Sequence, residues 1–281
     1  MKKLKAVGVS TAVVALVGAG VLWFASRATE QDIAAFSKRV VNLAATSPSP
    51  AIDRAGWSQL PAPIQRYFGF VFPEDAPANS VVALEAEGEF RRPLTESFSP
   101  TTAEQTIAIG EPALMFSATT SVLPGIWARA YDYFAQGEME MKAKILSLVT
   151  VVDESETPTL NQISLRRWLL ESALYPQALL PGGPVTWEAI DNSSARAVIE
   201  QGGLRATMVA HIDEAGRMTH MSAEQDGDLL TPYHGSGEHV SRSDYQRVGN
   251  QMIPMDFTIS RAADGKIYPF WEGSITSITF R

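Results

Sequence analysis

The chain has 281 residues, 45% of them hydrophobic and 19% charged, with a formal net charge of -8. It is long enough to bury a sizeable core, and its acidic balance repels phosphate backbones, so no nucleic acid partner is expected. It contains no cysteine, which excludes a disulfide framework, a thiol nucleophile and a lipidated cysteine.

The first 28 residues have the pattern of a membrane-targeting segment. Lys2, Lys3 and Lys5 precede an uncharged apolar run over residues 6–25. About 20 helical residues match the roughly 30 Å hydrocarbon core of a bilayer, and the lysines ahead of them stay cytoplasmic. We predict a signal anchor or transmembrane helix over residues 1–28. The protein is then a single-pass protein of the inner (cytoplasmic) membrane, with an extracytoplasmic, periplasmic main domain.

A cleaved signal peptide is the alternative for this segment, because Ser26-Arg27-Ala28 resembles a small-x-small cleavage site. Apolar regions of signal peptides usually span about 7 to 15 residues, which is shorter than this run. Trp23 and Phe24 also lie where interfacial aromatic residues anchor a spanning helix. Both features favour retention of the segment.

Residues 29–78 form a helical and linker segment that we expect to pack on the main domain. Apolar residues at helical spacing over 33–44 predict a short amphipathic helix after the anchor. The Ser-Pro repeat at 47–50 interrupts it. Residues 61–72 predict a second short helix, which begins with prolines and places apolar residues on one side.

From residue 79 to residue 281 the pattern is typical of a β domain. Leu84, Ala86, Gly88 and Phe90 alternate with charged residues, which predicts a half-buried strand. Similar segments follow at 101–109, 113–122, 126–135, 138–152, 185–190, 195–201, 204–212, 218–225, 234–247, 252–261 and 267–280. Turns rich in Asp and Gly separate several of them.

One helix interrupts these strands, over residues 159–175. Thr159 and Gln162 form a capping box at its start, and Tyr175 precedes Pro176, where helical backbone is disfavoured. We expect this helix to pack across the sheet or plug one mouth of it. The fold class is therefore mainly β (α+β): a large curved antiparallel sheet or partly closed barrel with one inserted helix.

The strand that begins at Ile126 carries the first candidate ligand-binding residues. Trp127, Arg129, Tyr131 and Tyr133 share one face of it. This face combines flat rings with a cation, and it suits a cavity that holds an acyl chain on the rings and an anionic head on Arg129. The alternative is a cross-strand aromatic ladder with the arginine stacked over it.

Catalytic and metal motifs are weak. The spacing of His211, His220, His234 and His239 favours ordinary strand and turn residues over metal ligands. The serine at position 236 lies in a β context, without the Gly-x-Ser-x-Gly elbow of a nucleophile. We expect no metal site, no cofactor and no catalytic residue.

The chain resembles a bacterial family of unknown function, from about residue 61 onward. The motifs that carry the resemblance are Trp127-Ala128-Arg129, Asp132 with Gly137 and Met139, the run from Leu165 to Glu171, Tyr175-Pro176, Trp187 to Asp191, and Ile253-Pro254. The resemblance implies a single N-anchored domain and supplies no catalytic residue. In architecture alone the chain is loosely similar to periplasmic lipoprotein carriers, which fold a curved antiparallel sheet around a helix and shelter an acyl chain.

Three hypotheses about function follow. The first is a membrane-anchored extracytoplasmic binding domain that shelters an apolar or lipid-like ligand for transport or envelope maintenance, with Glu171 and Trp187 completing its candidate ligand-binding residues. The second is an envelope hydrolase or transferase that uses Glu171 or a histidine as general acid or base. The third is a structural or interaction protein of the envelope. A lined cavity of a few hundred Å³ favours the first, and a filled interior contradicts it.

Overall fold

The computed structural model describes residues 2–92, 95–231 and 237–281, with side chains from residue 17 onward. Within these residues, 13 strands form one antiparallel sheet. The strands are β1 Val81–Phe90, β2 Ser99–Ala108, β3 Ala113–Leu123, β4 Ile126–Ala135, β5 Glu138–Ile145, β6 Val149–Ser155, β7 Val185–Ala189, β8 Ser194–Gln201, β9 Leu204–Ile212, β10 Met218–Ser222, β11 His239–Val248, β12 Gln251–Ala263 and β13 Lys266–Phe280. The predicted fold class is confirmed in its main part.

The sheet remains open. Its strand order is β6-β5-β4-β3-β2-β1-β13-β12-β11-β10-β9-β8-β7, so β6 and β7 are its two edges. The chain between these edges forms the helix α3, Pro158–Glu171, and two 3-10 turns, Ser172–Leu174 and Pro176–Leu179. Residues of α3 contact β4, β5, β8, β9 and β11. The sheet therefore wraps around α3 and does not close as a barrel.

The inserted helix is confirmed, but its predicted cap is wrong. The Thr157 side chain accepts a hydrogen bond from the Leu160 N–H, and Pro158 occupies the first turn, so the cap is Thr157 and the helix begins at Pro158. The helix is buried on several faces, and Trp168 donates its indole N–H to the carbonyl of Ala108 at 3.0 Å. It therefore forms part of the core.

The N-terminal helix α1 spans Lys2–Ala44 without a break, where the sequence predicts an anchor and a separate amphipathic helix. Its second half buries Ile33, Val40 and Ala44 against the outer face of β2, β3 and β4. Among the residues with described side chains, no helix is long and apolar enough to cross a membrane. Residues 6–16 of the predicted span lie outside those residues.

Two further elements refine the strand predictions. The segment predicted as one strand over 138–152 is two strands, because Leu146 and Ser147 have φ values of 52° and 57° and form a turn. Strand β11 begins at His239, and the predicted start of that strand, with His234 and the serine at 236, lies outside the described residues. The other predicted helix, α2, spans Ala62–Val71 and buries its apolar side against the sheet.

Candidate functional site

A row of alanines crosses the inner face of the sheet, the face that looks toward α3. Ala86, Ala103, Ala118, Ala130 and Ala143 pair in register across the five neighbouring strands from β1 to β5. We call these five residues the alanine row. Side chains directly opposite each other in a sheet are close neighbours, so the five methyl groups form a continuous strip of small side chains on this face.

The rows on either side of the alanine row differ in size. Toward the end of the sheet that α3 covers, the adjacent row is Leu84, Gln105, Phe116, Asp132 and Met141. The row beyond it is large and apolar: Val82, Ile107, Leu114, Phe134 and Met139. Toward the opposite end the side chains are mostly small, and this row is formed by Gly88, Thr101, Thr120, Ala128 and Ile145. The inner face is therefore packed where the helix lies and hollow beyond it.

The hollow part is a cavity of about 650 Å³. Its walls are mainly apolar and include Ala118, Ala130 and Ala143 of the alanine row, with Met141 and Trp271 beside them. Among its lining residues, Val122 and Val151 are about half exposed, at 46% and 55%. The cavity therefore opens to the outside at the end of the sheet where the β3–β4 and β5–β6 turns lie.

A buried polar network closes the inner end of the cavity. Arg167 of α3 pairs with Asp132 of β4 and donates from Nε to Glu171 Oε1 at 2.9 Å. Gln105 donates from Nε2 to the other oxygen of Glu171 at 2.5 Å. The Arg167 guanidinium also lies over the Phe116 ring, 4.5 Å from its centroid. We call Gln105, Phe116, Asp132, Arg167 and Glu171 the floor.

The floor carries one perturbed carboxyl group. Burial raises the pKa of Asp132 to about 6, and the positive charge of Arg167 opposes this rise. Asp132 Oδ1 is buried without a hydrogen-bond partner. A pair of carboxylates that shares one arginine is thus held in a dry environment, where the free energy of each charge depends strongly on its partner.

Four of the predicted ligand-binding residues lie on the other face of β4. Trp127, Arg129, Tyr131 and Tyr133 do share a face, but it is the outer face, which α1 covers. Arg129 donates to both carboxylate oxygens of Glu30, at 2.8 and 2.9 Å. These side chains therefore have partners within the chain itself.

The rings beside Arg129 are also engaged. Phe36 of α1 stacks on Tyr133 with 4.4 Å between ring centroids, and the Tyr131 hydroxyl donates to Glu140 at 2.7 Å. A groove of about 290 Å³ runs past Trp127 and Arg129 beside α1, and glutamates line it. Negative charges along this groove repel the anionic head group that the sequence analysis places at Arg129.

The two remaining predicted residues lie apart from those four and from each other. Glu171 belongs to the floor, on the inner side of the sheet. Trp187 lies in the edge strand β7, where its indole N–H donates to the carbonyl of Leu179 at 3.0 Å. Glu171 therefore lies next to the cavity, paired with the lining residue Arg167, and Trp187 does not line it.

Sequence reasoning missed the alanine row and the roles of Asp132 and Arg167. The signal for the row is present in the strands, since small residues recur at alternate positions of β4 and at matching positions of its neighbours. Arg167 lies next to Arg166 on a helix, and only the packing of α3 buries one of them almost completely.

Three of the four histidines stack on the outer face of β9, β10 and β11. His211 and His220 lie 4.0 Å apart between ring centroids, and His220 and His239 lie 5.3 Å apart. Burial and the two neighbouring rings lower the pKa of His220 to about 4. In the parts of the chain that the structure describes, no group of three or more His, Cys, Asp or Glu side chains is arranged to hold a metal ion.

The fold and the site define a class of protein: a single open antiparallel sheet wrapped around one helix, with an apolar cavity beside that helix. Residues 58–280 match a family described as a family of unknown function, DUF6920. The chain belongs to this family, as its motifs indicate. No curated protein matches the chain.

One similar solved structure is a domain from Vibrio parahaemolyticus that is described as an outer membrane lipoprotein-sorting protein domain. The two share 7% identity, the match covers 72% of this chain and 86% of that chain, and the TM-score is 0.39. The likeness is a loose one of overall architecture.

Proposed function

We propose that this protein is a membrane-anchored, extracytoplasmic binding protein that shelters an apolar, lipid-like molecule in the cavity, for transport or envelope maintenance. The observation that supports this most directly is the cavity of about 650 Å³ above the alanine row. Its size lies within the range of roughly 300–1,000 Å³ that holds small ligands.

The chemistry of the walls favours an apolar ligand. The methyl groups of Ala118, Ala130 and Ala143 and the side chains of Met141, Ile145 and Val152 line the cavity. Each Å² of apolar surface that a ligand removes from water contributes about 25 cal/mol. The floor offers little to a polar ligand, because Arg167 and Glu171 already hold each other.

The polar end of such a ligand belongs at the mouth of the cavity. Arg91 and Arg92 lie there among the lining residues. Arg91 Nε donates to the carbonyl of Pro269 at 2.7 Å, which fixes the side chain at the mouth, and Arg92 is exposed. A ligand with an apolar chain and an anionic head group suits this arrangement, with the chain inside and the head near the two guanidinium groups.

The proposal assigns the membrane anchor to residues 1–28, on the sequence argument of three lysines followed by an uncharged apolar run. The continuity of α1 supports a stiff connection, because one helix runs from Lys2 to Ala44 and packs its second half on the sheet. The cavity domain is then held close to the inner membrane on its periplasmic side.

Photocrosslinking tests the binding proposal. The full-length chain in phospholipid vesicles is illuminated with a diazirine-bearing fatty acid, and the crosslinked peptides are mapped by mass spectrometry. We expect crosslinks within β3, β4 and β5, on residues that line the cavity. Ala130→Trp, which fills the cavity, is expected to lower this crosslinking at least about tenfold, a loss of about 1.4 kcal/mol.

A matched control is Ala189→Trp, since Ala189 is exposed on the edge strand β7. This variant is expected to crosslink like the unmodified chain. Crosslinks confined to the anchor and the mouth, with none on the residues that line the cavity, or equal crosslinking of the cavity in both tryptophan variants, would contradict the proposal.

A further inference from the structure

The two turns at the mouth of the cavity are apolar and carry no charge. The β3–β4 turn and its flanks, residues 121–126, read Ser-Val-Leu-Pro-Gly-Ile, and residues 145–151 around the β5–β6 turn read Ile-Leu-Ser-Leu-Val-Thr-Val. Five large aliphatic side chains on these turns are between 44% and 60% exposed: Val122, Leu123, Leu148, Val149 and Val151. We call these two turns the rim.

The β3–β4 turn itself is an ordinary Pro124-Gly125 pair, but its flanks and the β5–β6 turn are unusually apolar for exposed segments. Turns between strands are normally built from Gly, Pro, Asn, Asp and Ser. Here Leu146 adopts a φ of 52°, a region that large side chains rarely occupy, and leucine and valine follow it. Contiguous exposed apolar side chains of this kind mark a surface that contacts a partner or a membrane.

The helix α1 leaves the sheet at the rim. Ala44 packs near the opposite end of the strands, Glu30 pairs with Arg129 midway along β4, and Ser26 lines the same groove as Trp127 and Ser147, beside the two turns. From Ser26 the helix continues to Lys2, about 36 Å at 1.5 Å per residue. The apolar run of residues 6–25 is therefore on the rim side of the domain.

We propose that the rim inserts into the bilayer surface that α1 enters, so that the cavity opens directly onto lipid acyl chains. This inference rests on the membrane anchor of the proposed function. Trp23 and Phe24, both strongly exposed, lie on α1 just beyond the rim, where aromatic side chains mark a membrane interface. A ligand then enters the cavity from the membrane without passing through water.

Charges of both signs lie near the rim. Acidic residues of β1 and β2, including Glu85, Glu87 and Glu104, line the groove on the outer face of the sheet, which extends to Ser147 of the β5–β6 turn. Arg91 and Arg92 lie at the mouth, where cations attract lipid phosphates. An aliphatic surface next to cations fits the boundary between lipid head groups and acyl chains.

Depth-dependent fluorescence quenching tests the insertion. The chain has no cysteine, so a single cysteine can be placed at Leu123, Leu148 or Val21 and labelled with an environment-sensitive fluorophore. The control cysteine replaces Ala45, which is exposed at the opposite end of the strands. The full-length chain is reconstituted in phosphatidylcholine vesicles that contain brominated acyl chains, which quench only fluorophores in contact with them.

We expect labels at positions 123 and 148 to be quenched at least twofold more than the label at 45, together with quenching at 21. Quenching at 21 without quenching at 123 and 148 would overturn the proposal, as would the absence of quenching at all four positions. The labels at 123 and 148 could instead become shielded from solvent only as the protein concentration rises, without quenching by the lipid. That result would show that the rim contacts a second copy of the chain, and it would also overturn the proposal.

A variant with charges on the rim provides a second test of insertion. Leu123→Glu combined with Leu148→Glu is expected to reduce the quenching of a label at Val149 to the level seen at 45. Val41→Glu, which changes an exposed apolar residue near the other end of α1, is expected to leave it unchanged. If the rim does not insert, cavity residues are still crosslinked in detergent-solubilised protein. If the cavity does not bind the fatty acid, the labels on the rim are still quenched in vesicles. The two experiments therefore distinguish failure of one proposal from failure of the other.

Discussion

Arg167 lies over the ring of Phe116, with its guanidinium carbon 4.5 Å from the ring centroid, and this contact separates the cavity from the packed core. On the cavity side the inner face of the sheet carries the alanine row. On the other side, α3 packs against large side chains such as Leu114 and Phe134. The position of one arginine on α3 therefore marks where packing ends and the cavity begins.

Replacing Arg167 with methionine is expected to destabilise the fold strongly. Methionine retains much of the apolar bulk but leaves Asp132 and Glu171 buried without their shared cation. Removing one partner of a buried ion pair costs about 3–5 kcal/mol. Urea unfolding followed by circular dichroism measures the loss.

The double variant Arg167→Met with Asp132→Asn is expected to recover part of this free energy, because it removes one of the two orphaned carboxylates. If the double variant is less stable than Arg167→Met alone, the pairing of Asp132 with Arg167 does not explain the loss.

The sequence predicts the strands well because alternation is a local property. Residues 126–135 alternate large and small side chains, and they form β4 with those bounds. The turn at Leu146 and Ser147 could not be predicted in this way, since leucine is not a typical turn former and no Gly, Asn or Asp marks the two positions of positive φ.

The site is harder to predict than the strands. Alternation shows that Trp127, Arg129, Tyr131 and Tyr133 share a face, but it does not show which face looks inward. That choice depends on where α1 and α3 pack, and both contacts join residues far apart in the chain. The aromatic face resembles a binding surface and is covered by α1, whereas the alanine face has few features in the sequence and lines the cavity.

Asp132→Asn is expected to change how stability depends on pH. The pKa of Asp132 is about 6 in the folded chain and near 3.8 when unfolded, so between these values the folded state binds more protons. The contribution of this group to the free energy of unfolding therefore falls as pH rises from about 4 to 6, by an amount on the order of 3 kcal/mol. The asparagine variant loses this dependence, which unfolding midpoints measured at steps from pH 4 to 7 reveal.

Asp153→Asn serves as the control for that series, since Asp153 lies in the edge strand β6 and its side chain is 62% exposed. An identical pH profile for the two variants would remove Asp132 as the source of the change.

His220→Gln is expected to change the pH dependence of the free energy of unfolding in the opposite direction, over nearly the same pH range. Burial, with the neighbouring rings of His211 and His239, lowers its pKa to about 4, while the unfolded value is near 6.5. The unfolded state therefore binds more protons between these values, and the contribution of His220 to stability rises with pH. The glutamine variant is expected to lose less stability than the unmodified chain on acidification from pH 6.5 to 4. Thermal unfolding across this range tests it, and an equal or greater loss would contradict the expectation.

Leucine at two alanine positions distinguishes a cavity from a filled core. Ala130→Leu places three additional carbons into the cavity, where they cover apolar surface, so the free energy of unfolding is expected to rise by about 0.5–2 kcal/mol. Ala197→Leu adds the same atoms at a fully buried position of the packed core and is expected to lower it by about 1–3 kcal/mol through overpacking. The comparison is made by urea unfolding of both full-length variants. Destabilisation of similar size at the two positions would mean that the space above the alanine row is already filled, which removes the basis for ligand binding there.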